Sequence, residues 1–276
     1  MELQQLNQRQ FEQFRDFIYA KSGIRIDERK ITLLSNRIRQ RLKANDIADF
    51  DSYYRCLRSP LGTSELEHFL DAITTNETFF FRTQAHFDWL KSEFLSELLL
   101  AERSGRREKT IRIWSAGCAT GAEPYTIAIC LAEQAFRLRE WELSILGTDI
   151  SEKALGDARE GAYQERAVES VSEQQRRRFF EKPKDDQLWR VKHDITKMVS
   201  FETHNLLIPL GKPLFDCIFI RNVLIYFDRD SKQRVIKNLI RQLAEGGYLV
   251  VGPSEGIYDM LDPLEKRKTF LYQKSQ

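Results

Sequence analysis

The chain has 276 residues, 42% of them hydrophobic and 30% charged, an ordinary globular composition that suggests one large or two modest domains. A formal net charge of +2 gives no global drive toward nucleic acid, so any basic partner surface must be local. Residues 1–10 are polar and glutamine-rich, unlike a signal peptide, and no apolar run approaches the roughly 20 residues that span a bilayer. Cys56, Cys118, Cys130 and Cys217 contain no C-x-x-C pair, which argues against a zinc or redox motif. A cytoplasmic protein without its own membrane anchor, its cysteines free and apolar, is expected.

The first elements read as helical. Phe11, Phe14, Phe17 and Ile18 share one helical face, and Gly23 ends that helix. Ile31, Leu34, Ile38 and Leu42 repeat at helical spacing on a second helix, whose other faces carry Arg29, Lys30, Arg37, Arg39, Arg41 and Lys43. A third helix is predicted over residues 50–57. A fourth starts at Ser64, where Glu67 would complete a capping box, and runs toward Ile73. No strand signal interrupts this stretch, so residues 1–74 read as a small all-α domain. Residues 75–109 read as a linker. It holds a polar, then aromatic, then cationic run ending at Arg82, an amphipathic segment over 87–100, and a charged loop around Gly105.

From Thr110 strands alternate with helices. Residues 111–114 are a strand entering a small-residue turn over 115–121, and 123–133 are the following helix. Residues 143–149 form a second strand ending on an acid, and Ser151 caps the helix after it. Residues 215–220 are a buried strand, and 231–244 a helix ended by Gly246 and Gly247. Residues 248–251 are a further strand, and 269–272 a last edge strand. This alternation predicts a second domain over 110–276, with a mostly parallel sheet and helices on both faces. Strong parallel-strand runs are missing between about 162 and 199, where 187–191 reads as a short exposed strand, so an inserted subdomain is expected there.

Two features suit a ligand at the carboxyl ends of such strands. The run Ala116-Gly117-Cys118-Ala119-Thr120-Gly121 lets backbone approach a ligand closely, and Asp149 can accept hydrogen bonds from both hydroxyls of a ribose. The loop is neither G-x-G-x-x-G nor a P-loop, so a ligand with an adenosine and no phosphates fits better than a dinucleotide. A tight turn that binds nothing is the alternative these residues leave open.

Four runs resemble motifs of the chemotaxis receptor glutamate O-methyltransferases (CheR type), in that family's order and across nearly the whole chain. They are Trp114-Ser115-Ala116-Gly117-Cys118-Ala119-Thr120-Gly121-Ala122-Glu123-Pro124-Tyr125, Asn76-Glu77-Thr78-Phe79-Phe80-Phe81-Arg82, Arg221-Asn222-Val223-Leu224-Ile225-Tyr226-Phe227 and Gly252-Pro253-Ser254-Glu255. The resemblance implies an α/β fold. A Rossmann-like S-adenosylmethionine-dependent methyltransferase domain bears a small antiparallel β subdomain and follows an all-α N-terminal domain. It also implies a site. Asn76, Thr78 and Arg82 contact the cofactor region from the linker, with Gly117 in the loop. Glu123 holds the methionine amino end and Asp149 the ribose. Asn205 and Leu206 flank the adenine, and Arg221 and Asn222 close the pocket. Ala119 and Ala122 depart from the Ser and Glu that the family often has.

Methyl transfer from a sulfonium to a carboxylate needs no general base, because a free glutamate, with a pKa of about 4.3, is already ionised. Arg82 is the candidate to hold the incoming carboxylate and Tyr226 to orient it. Glu77 and Phe79-Phe80-Phe81 are expected to pack the linker, and His68, His86, His193 and His204 to be structural or exposed. No metal is implied. The basic residues from Arg29 to Lys43 are expected to dock the acidic helical methylation region of a chemoreceptor. A monomer that yields S-adenosylhomocysteine and binds no nucleic acid is expected. Some relatives tether to a receptor tail through a glycine-rich loop of the subdomain. The corresponding stretch here, 181–186, has no glycine, so no tether is expected. Three alternatives differ in class. A non-catalytic S-adenosylmethionine sensor and a methyltransferase on another acidic protein share this site. A nucleic-acid methyltransferase would call for a basic stripe with exposed aromatics.

Overall fold

The computed structural model describes residues 5–183 and 187–275. Lys184, Asp185 and Asp186, half of the stretch on which the tether expectation rests, lie outside the described residues.

Four helices come first: α1 (Gln8–Ser22), α2 (Ile31–Ala44), α3 (Phe50–Arg58) and α4 (Thr63–Ile73). Asn7 and Gln10 form a capping box at the start of α1, and Gly23 ends it in the left-handed region at φ 72°. Phe11, Phe14, Ile18, Leu34, Ile38, Tyr53 and Phe69 form an apolar cluster of their own. The capping box expected at Ser64 does not form. Helix α4 begins one residue earlier, after Gly62 and without a side-chain cap. Arg29 and Lys30 lie in a 3-10 turn before α2, not on the helix.

Inside this cluster, Glu65 is 8% exposed. Its two carboxylate oxygens accept from Arg41 Nε at 2.8 Å and Nη2 at 2.6 Å, and the Tyr53 hydroxyl donates to it at 2.5 Å. Burial pushes the Glu65 carboxyl up, but the bonds from Arg41 and Tyr53 outweigh it and hold the group below its ordinary range.

The linker leads into α5 (Gln84–Trp89), one π-helical turn and α6 (Leu95–Arg103). Phe80 and Phe81 are buried at 0% and 4%, whereas Phe79 is 41% exposed and Glu77 is exposed. The expected packing role therefore falls to two of those four residues. Phe80 packs edge-on against Tyr163 and Phe180.

The rest is β1 (Thr110–Ala116), α7 (Ala122–Ala132), β2 (Glu142–Asp149), α8 (Glu152–Glu160), β3 (Ala162–Tyr163), α9 (Glu173–Phe179), β4 (Phe180–Glu181), β5 (Trp189–Val191), α10 (His193–Thr196), β6 (Val199–Thr203), β7 (Phe215–Ile220), α11 (Arg229–Gln242), β8 (Leu243–Val251), β9 (Leu264–Lys268) and β10 (Leu271–Lys274). One seven-stranded sheet has the order β6-β2-β1-β7-β8-β10-β9. Its pairings are parallel from β6 through β8 and antiparallel at β10 and β9. Strands β3, β5 and β4 form the small antiparallel subdomain.

Three sequence expectations need correction here. Gly246 and Gly247 do not end a helix but lie inside β8, where the register against β7 shifts. The last strand is not an edge, because β9, whose charges hid it, lies outside it. Strand β5 is the middle of its sheet, with Val191 buried. Among the described residues no helix is long and apolar enough to cross a membrane.

Arg41→Ala should strand the Glu65 carboxylate and cost about 2 kcal/mol of stability, below the value for a fully buried pair because Arg41 keeps some solvent contact. The folded pKa of Glu65 is depressed, so this contribution is present above its unfolded pKa and is lost as pH falls through the folded value. Urea denaturation of both proteins at neutral and acid pH measures it. Equal stability at neutral pH would remove the assigned role.

Candidate active site

The sheet reverses its direction of growth at β1. The chain steps outward through β2 and β6, then returns to the other side of β1 with β7 and β8. The crevice beyond the carboxyl ends of β1 and β7 is where such sheets take ligands. A cavity of about 910 Å³ lies there, walled by the β1–α7 loop, the end of β2, the linker and the turn after β7. Arg25, Lys30, Leu33 and Arg37 of the helical part line it too.

The β1–α7 loop is held open by its backbone. Gly117, Ala119 and Gly121 all have positive φ, at 75°, 50° and 84°. The N–H groups of Gly117 and Cys118 both donate to the Thr148 carbonyl, at 2.8 and 2.9 Å. A Cβ on Gly117 would lie 2.4 Å from Val223 Cγ2, so only glycine lets the turn after β7 close over the loop.

Asp149 ends β2. Its Oδ2 accepts the Ala119 N–H at 2.9 Å and its Oδ1 the Ser151 N–H at 3.0 Å. Burial pushes its carboxyl up, against those backbone donors. Glu123, in the first turn of α7, accepts the Ser115 hydroxyl at 2.8 Å and pairs with Arg221 Nη1 at 2.7 Å. Arg221 has a 3% exposed side chain. It also donates to the Arg82 carbonyl, lies over the Phe87 ring and keeps its buried Nε without a partner among the described residues.

Every residue expected at the cofactor site lines this one cavity: Asn76, Thr78, Arg82, Gly117, Glu123, Asp149, Asn205, Leu206, Arg221 and Asn222, together with Tyr226. Asn76 Nδ2 donates to Ser151 Oγ at 3.2 Å, which fixes the linker beside Asp149. The Asn205 amide is turned toward α1, donating to the Lys21 carbonyl at 2.8 Å. The Arg82 guanidinium sits 5.5 Å from the Phe79 ring centre and makes no ion pair among the described residues. Tyr226 ends a 3-10 turn, and the Arg25 N–H donates to its carbonyl at 2.8 Å.

The basic set does not stay together. Lys30 and Arg37 reach the cavity. Lys30 Nζ lies 5.9 Å from the Tyr226 ring, and Arg37 donates to the Ile73 carbonyl and Thr75 hydroxyl. Arg29 pairs with Asp27, Arg39 bonds to Asn36 and Lys43 is exposed. Arg41 is a correction: its guanidinium is engaged by Glu65 in the helical core. On α2, Arg37 and Arg41 share one face, four residues apart, and Arg39 and Lys43 another, so the set as a whole does not form one face.

Ser115 and Glu255 were not singled out from sequence. Both stand inside quoted motifs, but a serine at a strand end and an acid in a loop carry no signal without their partners. The groups present fit an adenosyl amino acid. Two carboxylates can accept from hydroxyls and an ammonium, Arg221 Nε is an orphaned buried donor, and the loop permits close backbone approach.

Residues 9–74 match the family model described as the CheR methyltransferase all-alpha domain, and residues 76–272 the one described as the CheR methyltransferase SAM binding domain. The chemotaxis protein methyltransferase of Borreliella burgdorferi is 37% identical over 245 residues, covering 87% of this chain and 85% of the relative. Those of Salmonella typhimurium and Escherichia coli are each 32% identical. The first covers 98% of this chain and 92% of the relative, the second 96% and 88%. Matched along almost all of its length and folded around a cavity suited to S-adenosylmethionine, the chain belongs to the CheR methyltransferase family.

Proposed function

We propose that this chain transfers a methyl group from S-adenosylmethionine to glutamate side-chain carboxylates on cytoplasmic helices of chemoreceptors, acting as a protein-glutamate O-methyltransferase of chemotactic adaptation. The names of the relatives support the pathway. The observation that carries the reaction is Arg82, a guanidinium without an ion-pair partner among the described residues, in the same cavity as Tyr226 and the cofactor-site residues.

The cofactor, when bound, supplies an electrophilic methyl group on a cationic sulfur. The acceptor carboxylate is ionised near neutrality, so no side chain has to remove a proton. Arg82 can pair with one acceptor oxygen and leave the other free to attack. The Tyr226 hydroxyl can donate a hydrogen bond that fixes the carboxylate plane. Phe87, Val223 and Ile225 line the same cavity and help to exclude water, so the chain contributes mainly alignment and a dry site. Lys30 and Arg37 line the same cavity, and their charge would attract an acidic helix through space, an effect that salt weakens.

Transfer of label from S-adenosylmethionine to a receptor cytoplasmic fragment tests the reading. Wild type should give alkali-labile label on glutamate, and Arg82→Ala should lower kcat/KM by about 100-fold, the scale of a lost alignment. Labelling of no receptor fragment, despite cofactor binding, would move the assignment to another acidic substrate or to a sensor. Tyr226→Phe should lower kcat about tenfold, one hydrogen bond in the transition state; an unchanged kcat would limit Tyr226 to packing. Lys30→Glu should raise KM for the receptor fragment several-fold at low salt and less near 1 M salt, where the Debye length falls to about 3 Å. A salt-independent KM would remove the steering role.

A further inference from the structure

Glu255 follows β8 and is 1% exposed, yet no lysine or arginine pairs with its carboxylate among the described residues. A carboxylate taken out of water is costly unless it is fully hydrogen-bonded. Its donors are backbone groups of one segment. Oε1 accepts the Asn222 N–H, and Oε2 accepts the Leu224 N–H at 2.8 Å. The Val223 N–H contributes as well, and together they oppose the upward push of burial on this carboxyl.

The segment has the shape that makes such donors converge. Asn222 stands at φ 60°, a position few side chains adopt, and Val223 follows at φ −114° and ψ −50°. A left-handed residue followed by a right-handed one turns successive N–H groups to the same side, forming a concave nest for an anion. Here the anion is supplied by the chain itself. Space for it is made by Gly252, where a Cβ would lie 2.4 Å from Glu255 Oε1 and 3.2 Å from Asn222 N.

We propose that Glu255 is a positioning residue of the cofactor site, a buried anion that moulds the turn after β7. The turn begins with Arg221, whose guanidinium joins Glu123 and the Arg82 carbonyl, and ends with Tyr226. Glu255 is not among the residues that line the cavity and acts by holding Asn222 in its left-handed conformation. An apolar side chain would serve the packing of β8 better than a carboxylate. The charge is explained by the nest. The proposal rests on Arg221 and Asn222 belonging to the cofactor site, not on the identity of the methyl acceptor, so its test uses no acceptor.

Binding of S-adenosylhomocysteine by isothermal titration calorimetry, paired with thermal unfolding of the unliganded protein, reads it. Glu255→Gln keeps the volume but turns an amide donor toward the nest. Gly252→Ala keeps the carboxylate but displaces it. Both should weaken S-adenosylhomocysteine at least tenfold while the unliganded protein still melts cooperatively. The Tyr258 hydroxyl donates to the Pro253 carbonyl at 3.1 Å, so Tyr258→Phe loosens the same loop without touching the carboxylate and should leave affinity within twofold. Unchanged affinity in a folded Glu255→Gln or Gly252→Ala overturns the proposal. So does an equal loss in Tyr258→Phe, which would assign the effect to the loop. Failure of both first variants to fold would make Glu255 a residue needed for the fold itself, again overturning it. Failure to methylate receptors leaves this result untouched and bears only on the acceptor.

Discussion

Arg221 donates one hydrogen bond to Glu123 and another to the carbonyl of Arg82, so three segments far apart in sequence meet at one guanidinium. Glu123 brings the first turn of α7, Arg82 the linker, and Arg221 the end of β7. A buried pair of this kind gains little net stability, since desolvation cancels much of the attraction. What it does is allow only one arrangement. Displacing the α7 turn parts the Arg221–Glu123 pair, and displacing the linker leaves a buried guanidinium N–H without its carbonyl acceptor, so the walls of the cavity are set relative to one another before any ligand arrives.

The helical part is fitted to the same place. The Ile24 backbone bridges to Phe227, the Arg25 N–H donates to the Tyr226 carbonyl and the Tyr19 hydroxyl donates to Asp228 at 2.8 Å. A Cβ on Gly23 would meet Leu207 at 2.9 Å. The turn that carries Tyr226 is therefore gripped from both sides, by Glu255 beneath and by the segment after α1 above. The part of the chain that brings Lys30 and Arg37 to the cavity also holds the turn bearing the proposed acceptor-orienting hydroxyl.

Much of this could be read from the residues. Strand-to-helix alternation after Thr110, the acid at the end of β2 and the small-residue loop are local patterns with local causes, and the parallel sheet and its crevice followed from them. Of the residues expected at the cofactor site, Asn76 and Asn222 could be joined to Asp149 only through the order of the motifs, because they lie on separate elements. What stayed hidden was pairwise. That Arg41 faces Glu65 depends on how α2 and α4 cross. That β9 is a strand depends on β10 beside it, since four successive charges carry no alternation. That Gly246 and Gly247 continue a strand depends on the bulge against β7.

Strand β9 has a further effect. Its sequence, Leu264-Glu265-Lys266-Arg267-Lys268, leaves its middle residues exposed at one rim of the large sheet. Charged side chains there repel an incoming strand and keep the unpaired backbone groups solvated. At the opposite rim, an Arg159 guanidinium donates to the carbonyl of Phe201 on β6 and so occupies an acceptor that an added strand would need. Both borders of the sheet are thus poor templates for the addition of a further strand.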